Sequence, residues 1–163
     1  MNYTTFEQME TSPLVRQKEE PAQDYMERIF RVACGPAEDG QDRPVRVNDM
    51  LEPEFVSCSA EEQTLKLRFP LNEWMLNPMG TMHGGIIATT VDLTMGSLTR
   101  FYRHTGTIST VTLGLSYMRP VRARGSVTVQ ARREKLGRSV AFLSARVFDA
   151  DGRLCVTATA SFM

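Results

Sequence analysis

Asp92 is the one charged residue between Gly84 and Thr99, in the run GGIIATTVDLTMGSLT. Just ahead lies NPMGTMHGG, residues 77–85, in which a single histidine, His83, stands among small and turn-forming residues. Two chemical groups are suggested. A carboxylate in a neutral helix is costly to bury unless it is paired or used, so Asp92 is a candidate general base or nucleophile. The glycines after His83 sit where a helix begins, and a helix N-terminus presents unpaired N–H groups at its positive end. Glycine lets a ligand approach that backbone closely. The N–H of Gly84 or Gly85 is therefore a candidate oxyanion donor. A phosphate would suit the same place, but no P-loop lysine and no GxGxxG accompany it. The plain alternative for Asp92 is structural, with its carboxylate accepting from the hydroxyls of Thr89 or Thr90.

These groups need elements to hold them. Ile87, Val91, Met95 and Leu98 form an apolar stripe, and the other helix positions are mostly Gly, Ala, Ser and Thr. A helix with no charged face is expected to be buried nearly all round. Before it, EFVSCSA and QTLKLRFPL flank a turn at Glu61-Glu62, with Leu65, Leu67 and Phe69 alternating as in a strand. After it come four alternating runs, around 111–117, 127–131, 141–147 and 154–162. Turn residues in RPVRARG, EKLGR and DADGR separate them, which predicts antiparallel neighbours. One long helix against one antiparallel sheet is an α+β architecture.

Length and composition favour one ordinary globular domain. The chain has 163 residues, 42% hydrophobic and 23% charged, with 19 basic and 19 acidic side chains. Zero net charge gives no reason to expect nucleic acid, and any anion site must be local. No apolar run is long enough for a membrane span, and the charged first thirty residues lack a signal core, so a cytoplasmic location is expected. Cys34, Cys58 and Cys155 are scattered, which suits free thiols in a reducing compartment and offers no metal spacing. Residues 1–53 read as an N-terminal helical extension packed on the domain of residues 54–163. Tyr25, Met26, Ile29, Phe30 and Ala33 have helical spacing after Pro21, with a stop at Gly35-Pro36 and a polar loop beyond. His104 reads as a surface histidine.

The string NPMGTMHGG followed by TTVD resembles the active-site signature of hotdog-fold acyl-CoA thioesterases, in particular the phenylacetate-pathway (PaaI-like) group. Asn77, Gly80, His83, Gly84, Gly85 and Asp92 stand in register, and the similarity continues through SYMRPV and KLGRSVAF. The resemblance covers residues 54–163 in layout and leaves the first 53 unexplained. It implies that Asp92 is the catalytic carboxylate and that Gly84 polarises the thioester carbonyl. It further implies that Asn77 orients the carbonyl or the water, that His83 supports the loop, and that Thr110 holds the lytic water. It implies a coenzyme A substrate whose phosphates meet Lys135, Gly137, Arg138 and Ser139, with Gly85 beside the thioester. Arg119, Arg122 and Arg124 form a second basic loop. No cofactor or metal is implied.

Gly84 and Asp92 lie eight residues apart, about 12 Å along one helix. A base must come within about 3 Å of its target or act through one water. Two antiparallel copies would bring Gly84 of one to Asp92 of the other, in agreement with the interfacial site of the resembled family. A homodimer or dimer of dimers is therefore expected. A non-catalytic acyl-CoA sensor is the alternative from another class. A hydratase is a third, disfavoured because HGG before the helix is not its arrangement. The acyl group is not fixed by the sequence; Trp74, Phe101 and Tyr102 could line an aromatic pocket, but aromatics at such positions are more often core.

Overall fold

The computed structural model describes residues 19–34, 46–103 and 108–163. His104 and the whole of the expected polar loop, with its stop at Gly35-Pro36, lie outside the described residues. The elements are α1 (Ala22–Ala33), α2 (Val47–Met50), β1 (Glu54–Ser59), β2 (Thr64–Pro70), a 3₁₀ turn (Glu73–Met75), α3 (Gly84–Arg103), β3 (Thr110–Tyr117), β4 (Ser126–Leu136), β5 (Ala141–Phe148) and β6 (Leu154–Phe162). The six strands form one antiparallel sheet that packs around α3, the hotdog arrangement.

Alternation decides which sheet face meets the helix. Leu65, Leu67 and Phe69 of β2, Val127, Val129 and Ala131 of β4, and Ala141, Leu143, Ala145 and Val147 of β5 are all buried. Ile87, Val91, Met95 and Leu98 of α3 face them and are buried too. Each Val, Leu, Ile, Phe or Met among them contributes roughly 1.5–3 kcal/mol relative to exposure, and each Ala less. Thr90, Thr94, Ser97 and Thr99 satisfy their hydroxyls on carbonyls three or four residues back. This lets a helix without a charged face sit in an apolar core.

The strand order is β1-β2-β4-β5-β6-β3, and it corrects one expectation. β3 does not pair with β4. It pairs with β6, and β4 lies between β2 and β5. The connection RPVRARG is not a hairpin turn. It crosses the sheet end, buries Val121, accepts the Met82 N–H at Val121 O (2.8 Å) and bridges Arg122 to Thr81.

The helix differs from expectation as well. Leu93–Thr99 are buried, whereas Gly85 is exposed and Ala88, Thr89 and Asp92 are only half-buried, on the strip uncovered by the sheet. The cause is the sheet's edge. β3 pairs with β6 on one side only among the described residues, and none of the described residues covers that strip.

α1 buries Met26 and Phe30 and packs against β1. Gln23 donates to Cys58 O (3.0 Å) and accepts from the Ala60 N–H (2.9 Å). Phe101 contacts Tyr25, Phe30 and Tyr102 with ring centroids 5.0–5.6 Å apart. Phe101 thus belongs to the packing under α1, and Tyr102 packs between Phe101 and the Arg133 guanidinium, 3.8 Å from its ring centroid. Trp74 is half-exposed on the 3₁₀ turn.

Candidate active site

The site begins in the loop before α3. Asn77 organises it. Its Oδ1 accepts from the N–H groups of Met79 (3.0 Å) and Thr81 (3.2 Å), and its Nδ2 donates to Thr81 Oγ1 (2.9 Å). The backbone closes the same turn through Asn77 N to Thr81 O and Gly80 N to Asn77 O. Gly80 has φ +70°, a region glycine enters without strain.

The loop delivers His83 to the helix start. Its N–H bonds Met75 O, and its carbonyl accepts from Ile86 and Ile87. Its ring Nδ1 accepts the Gly85 N–H at 3.0 Å. Gly85 is therefore occupied as a donor. The Gly84 N–H has no acceptor among the described residues, which leaves it as the open donor of the first turn. Tyr117, at the end of β3, lies against this glycine. Its hydroxyl donates to Gly84 O at 2.7 Å. Tyr117 ends the alternating run 111–117, and nothing in that pattern gives it a role. Its contact comes from the β3–β6 pairing, which local pattern does not encode.

Further along α3, Asp92 accepts a 2.7 Å hydrogen bond at Oδ1 from Thr110 Oγ1. The expected structural partners go elsewhere: Thr89 bonds Gly85 O and Thr90 bonds Ile87 O. The carboxylate is thus held by the first residue of β3, with its second oxygen open on the uncovered strip. Gly84 and Asp92 share α3, about 12 Å apart at ~1.5 Å per residue, so one chain does not bring both to one carbon.

The β4–β5 turn lies at the Thr110 end of the sheet, since Thr110 and Ala141 both pair with Phe162. Lys135, Arg138 and Ser139 are exposed there. Gly137 has a conformational reason of its own, because a Cβ would come within 2.8 Å of Val140 O. Arg103 donates to Arg138 O at 3.3 Å, tying the turn to the end of α3. At the opposite end, Arg119, Arg122, Arg124 and Arg153 line an open groove of about 790 Å³ with Asp149 and Asp151. Asp151 pairs with Arg124 and Arg153. No group of three His, Cys, Asp or Glu side chains suited to a metal ion occurs among the described residues.

An unspent N–H at a helix N-terminus and an open carboxylate held by a hydroxyl are the parts of a site for acyl transfer to water. The comparisons with known proteins agree. The thioesterase superfamily model matches residues 79–156. The Pseudomonas aeruginosa protein named "Putative esterase PA0474" is 33% identical over 115 residues, 70% of this chain and 84% of its own length. A phenylacetic acid degradation-related protein of Ralstonia eutropha is 31% identical, with a TM-score of 0.67 over 75% of this chain and 92% of its own. BH2602 of Bacillus halodurans, solved with CoA, is 25% identical, with a TM-score of 0.57 over 60% of this chain and 65% of its own. The chain belongs to the thioesterase superfamily and is a thioester hydrolase.

Proposed function

We propose that the protein hydrolyses acyl- or aryl-CoA to the free acid and CoA, at a site shared between two copies of the chain. The carrying observation is the open Asp92 carboxylate bonded to Thr110 on a helix strip that the described residues leave uncovered. The partner's α3 would cover the strip and present its own Gly84 N–H to the thioester carbonyl. Asp92 then either attacks the carbonyl carbon to form an acyl anhydride, which water hydrolyses to release the acid and regenerate the carboxylate, or takes a proton from a water held by Thr110 as that water attacks the carbonyl carbon. The developing oxyanion is stabilised at Gly84, and the thiolate of CoA departs and is protonated. The CoA-bound relative supports the choice of thioester. The exposed Lys135, Arg138 and Ser139, with the Gly137 backbone, are positioned to meet the phosphates at the Asp92 end. The protein is read as a homodimer or dimer of dimers.

The test is thiol release from a panel of straight-chain and aryl acyl-CoA substrates. Asp92→Asn keeps the size of the side chain and leaves Oδ1 able to accept from Thr110. Turnover should fall by at least about a hundredfold, the low end for loss of such a group. Retention of more than about a tenth of wild-type turnover would remove Asp92 from the chemistry. Acyl-CoA binding without any turnover by the wild type would favour the sensor reading. On the same panel, reversing Lys135 and Arg138 together should raise KM and spare kcat, the mark of lost uniform binding.

A further inference from the structure

The peptide between Gly84 and Gly85 is held at both ends by side chains. Its carbonyl oxygen accepts the Tyr117 hydroxyl at 2.7 Å, and its N–H donates to His83 Nδ1 at 3.0 Å. Neither glycine restrains its own torsions, because neither has a Cβ. The two bonds add to those of the helix in holding this peptide, and its plane is joined through the Gly84 Cα to the peptide that carries the Gly84 N–H, so holding the one restricts the other. The aromatic ring adds a wall: its atoms lie 3.4–3.5 Å from where a Cβ on Gly84 would stand. Tyr117 is nevertheless about half-exposed, so its ring is not held there by burial alone.

We infer that Tyr117 is a positioning residue for the hydrolysis, acting through the Gly84–Gly85 peptide to fix the direction of the Gly84 N–H. The catalytic part of this inference rests on the proposed role of that N–H as oxyanion donor. An oxyanion donor works because it is aimed before charge develops, and a misaimed donor loses much of its value. Tyr117 comes from β3 and His83 from the preceding loop, so the aim of the donor is set jointly by the sheet and the loop. Partial desolvation pushes the Tyr117 phenol up from its ordinary value, so it keeps the proton it donates.

Tyr117→Phe keeps the ring and removes only the bond. One lost hydrogen bond corresponds to about a five- to tenfold change. The expected result is a kcat lower by about that factor with KM held within about twofold. Amide hydrogen exchange supplies a readout that does not depend on turnover. Gly85, whose N–H is bonded to His83 Nδ1, should exchange faster in Tyr117→Phe, while Leu98 in the buried stretch of α3 should be unchanged. Unchanged exchange at Gly85 would overturn the clamp. Faster exchange with unchanged kcat would overturn its part in the reaction. A wild-type protein without thioesterase activity that still shows the exchange difference would instead sink the functional reading and leave the clamp standing.

Discussion

Thr110 and Asp92 are 18 residues apart in the chain and joined by a 2.7 Å hydrogen bond. The bond links the first residue of the edge strand to the middle of the central helix. A carboxylate so held has one oxygen fixed and the other available, which suits a base or nucleophile that must keep its orientation.

Thr110→Ser should therefore keep turnover within about threefold, since the hydroxyl survives. Thr110→Ala removes a bond to a charged acceptor, worth about 1.5–3 kcal/mol, or roughly ten- to a hundredfold in rate. Steady-state kinetics of the two variants checks this. Equal activity in both would mean that the hydroxyl has no part in the reaction.

Asn77 can be separated into its two possible duties. Asn77→Ala leaves two loop N–H groups without their acceptor and should lower stability by about 1–2 kcal/mol. Asn77→Asp keeps that acceptor, and the Thr81 hydroxyl can reverse to donate. Its urea midpoint should stay near wild type while turnover falls about tenfold through loss of the amide donor. If both hold at wild-type values, Asn77 is loop scaffold only.

A shared site predicts complementation. Gly84→Pro removes the N–H at a helix position where proline is tolerated, and Asp92→Asn removes the charge. Each homo-oligomer should be inactive. After unfolding and refolding together in equal amounts, half of the pairs would be mixed and each would hold one intact site, giving about a quarter of wild-type activity. No recovery from well-folded mixed pairs would place the whole site within one chain.

The thiols set an alkaline limit. Burial pushes Cys34 and Cys58 up from 9.0 to about 11. In the unfolded chain they lose their protons near pH 9, whereas the folded chain holds them until about pH 11. Across that window the folded state binds more protons, so this stability is complete below pH 9 and is lost as pH rises toward 11. Urea midpoints measured over the window should fall, and the double substitution Cys34→Ser and Cys58→Ser should flatten the slope. A wild-type slope unchanged in the double variant would assign the alkaline loss to other groups.

The legible parts of the chain were those written in local pattern. The apolar stripe of α3 and the alternation in β2, β4, β5 and β6 gave their buried faces, because periods of 3.6 and 2 leave a direct trace. The α+β hotdog class followed from one long helix among strands. Pairing order did not, since RPVRARG looks like a turn whether its strands meet or cross the sheet end. The exposure of Asp92 was missed for a related reason. An uncharged helix reads as buried whether its own sheet or another chain supplies the cover. The contact of Tyr117 with Gly84 spans 33 residues and arises only from tertiary placement.

The two margins of the sheet are unequal, and this limits growth. At β1 the outward Cys58 carbonyl and the nearby Ala60 N–H are already spent on Gln23 of α1, and the strand is bulged between Phe55 and Ser57. At β3 the outer margin is bare among the described residues. A sheet with two bare margins can add copies without end and become a fibre. A sheet sealed on one side can add a single copy, strand against like strand, and then has nothing left to offer. Gln23 therefore covers part of the β1 margin, and Gln23→Ala would expose that part as a second edge open to strand addition.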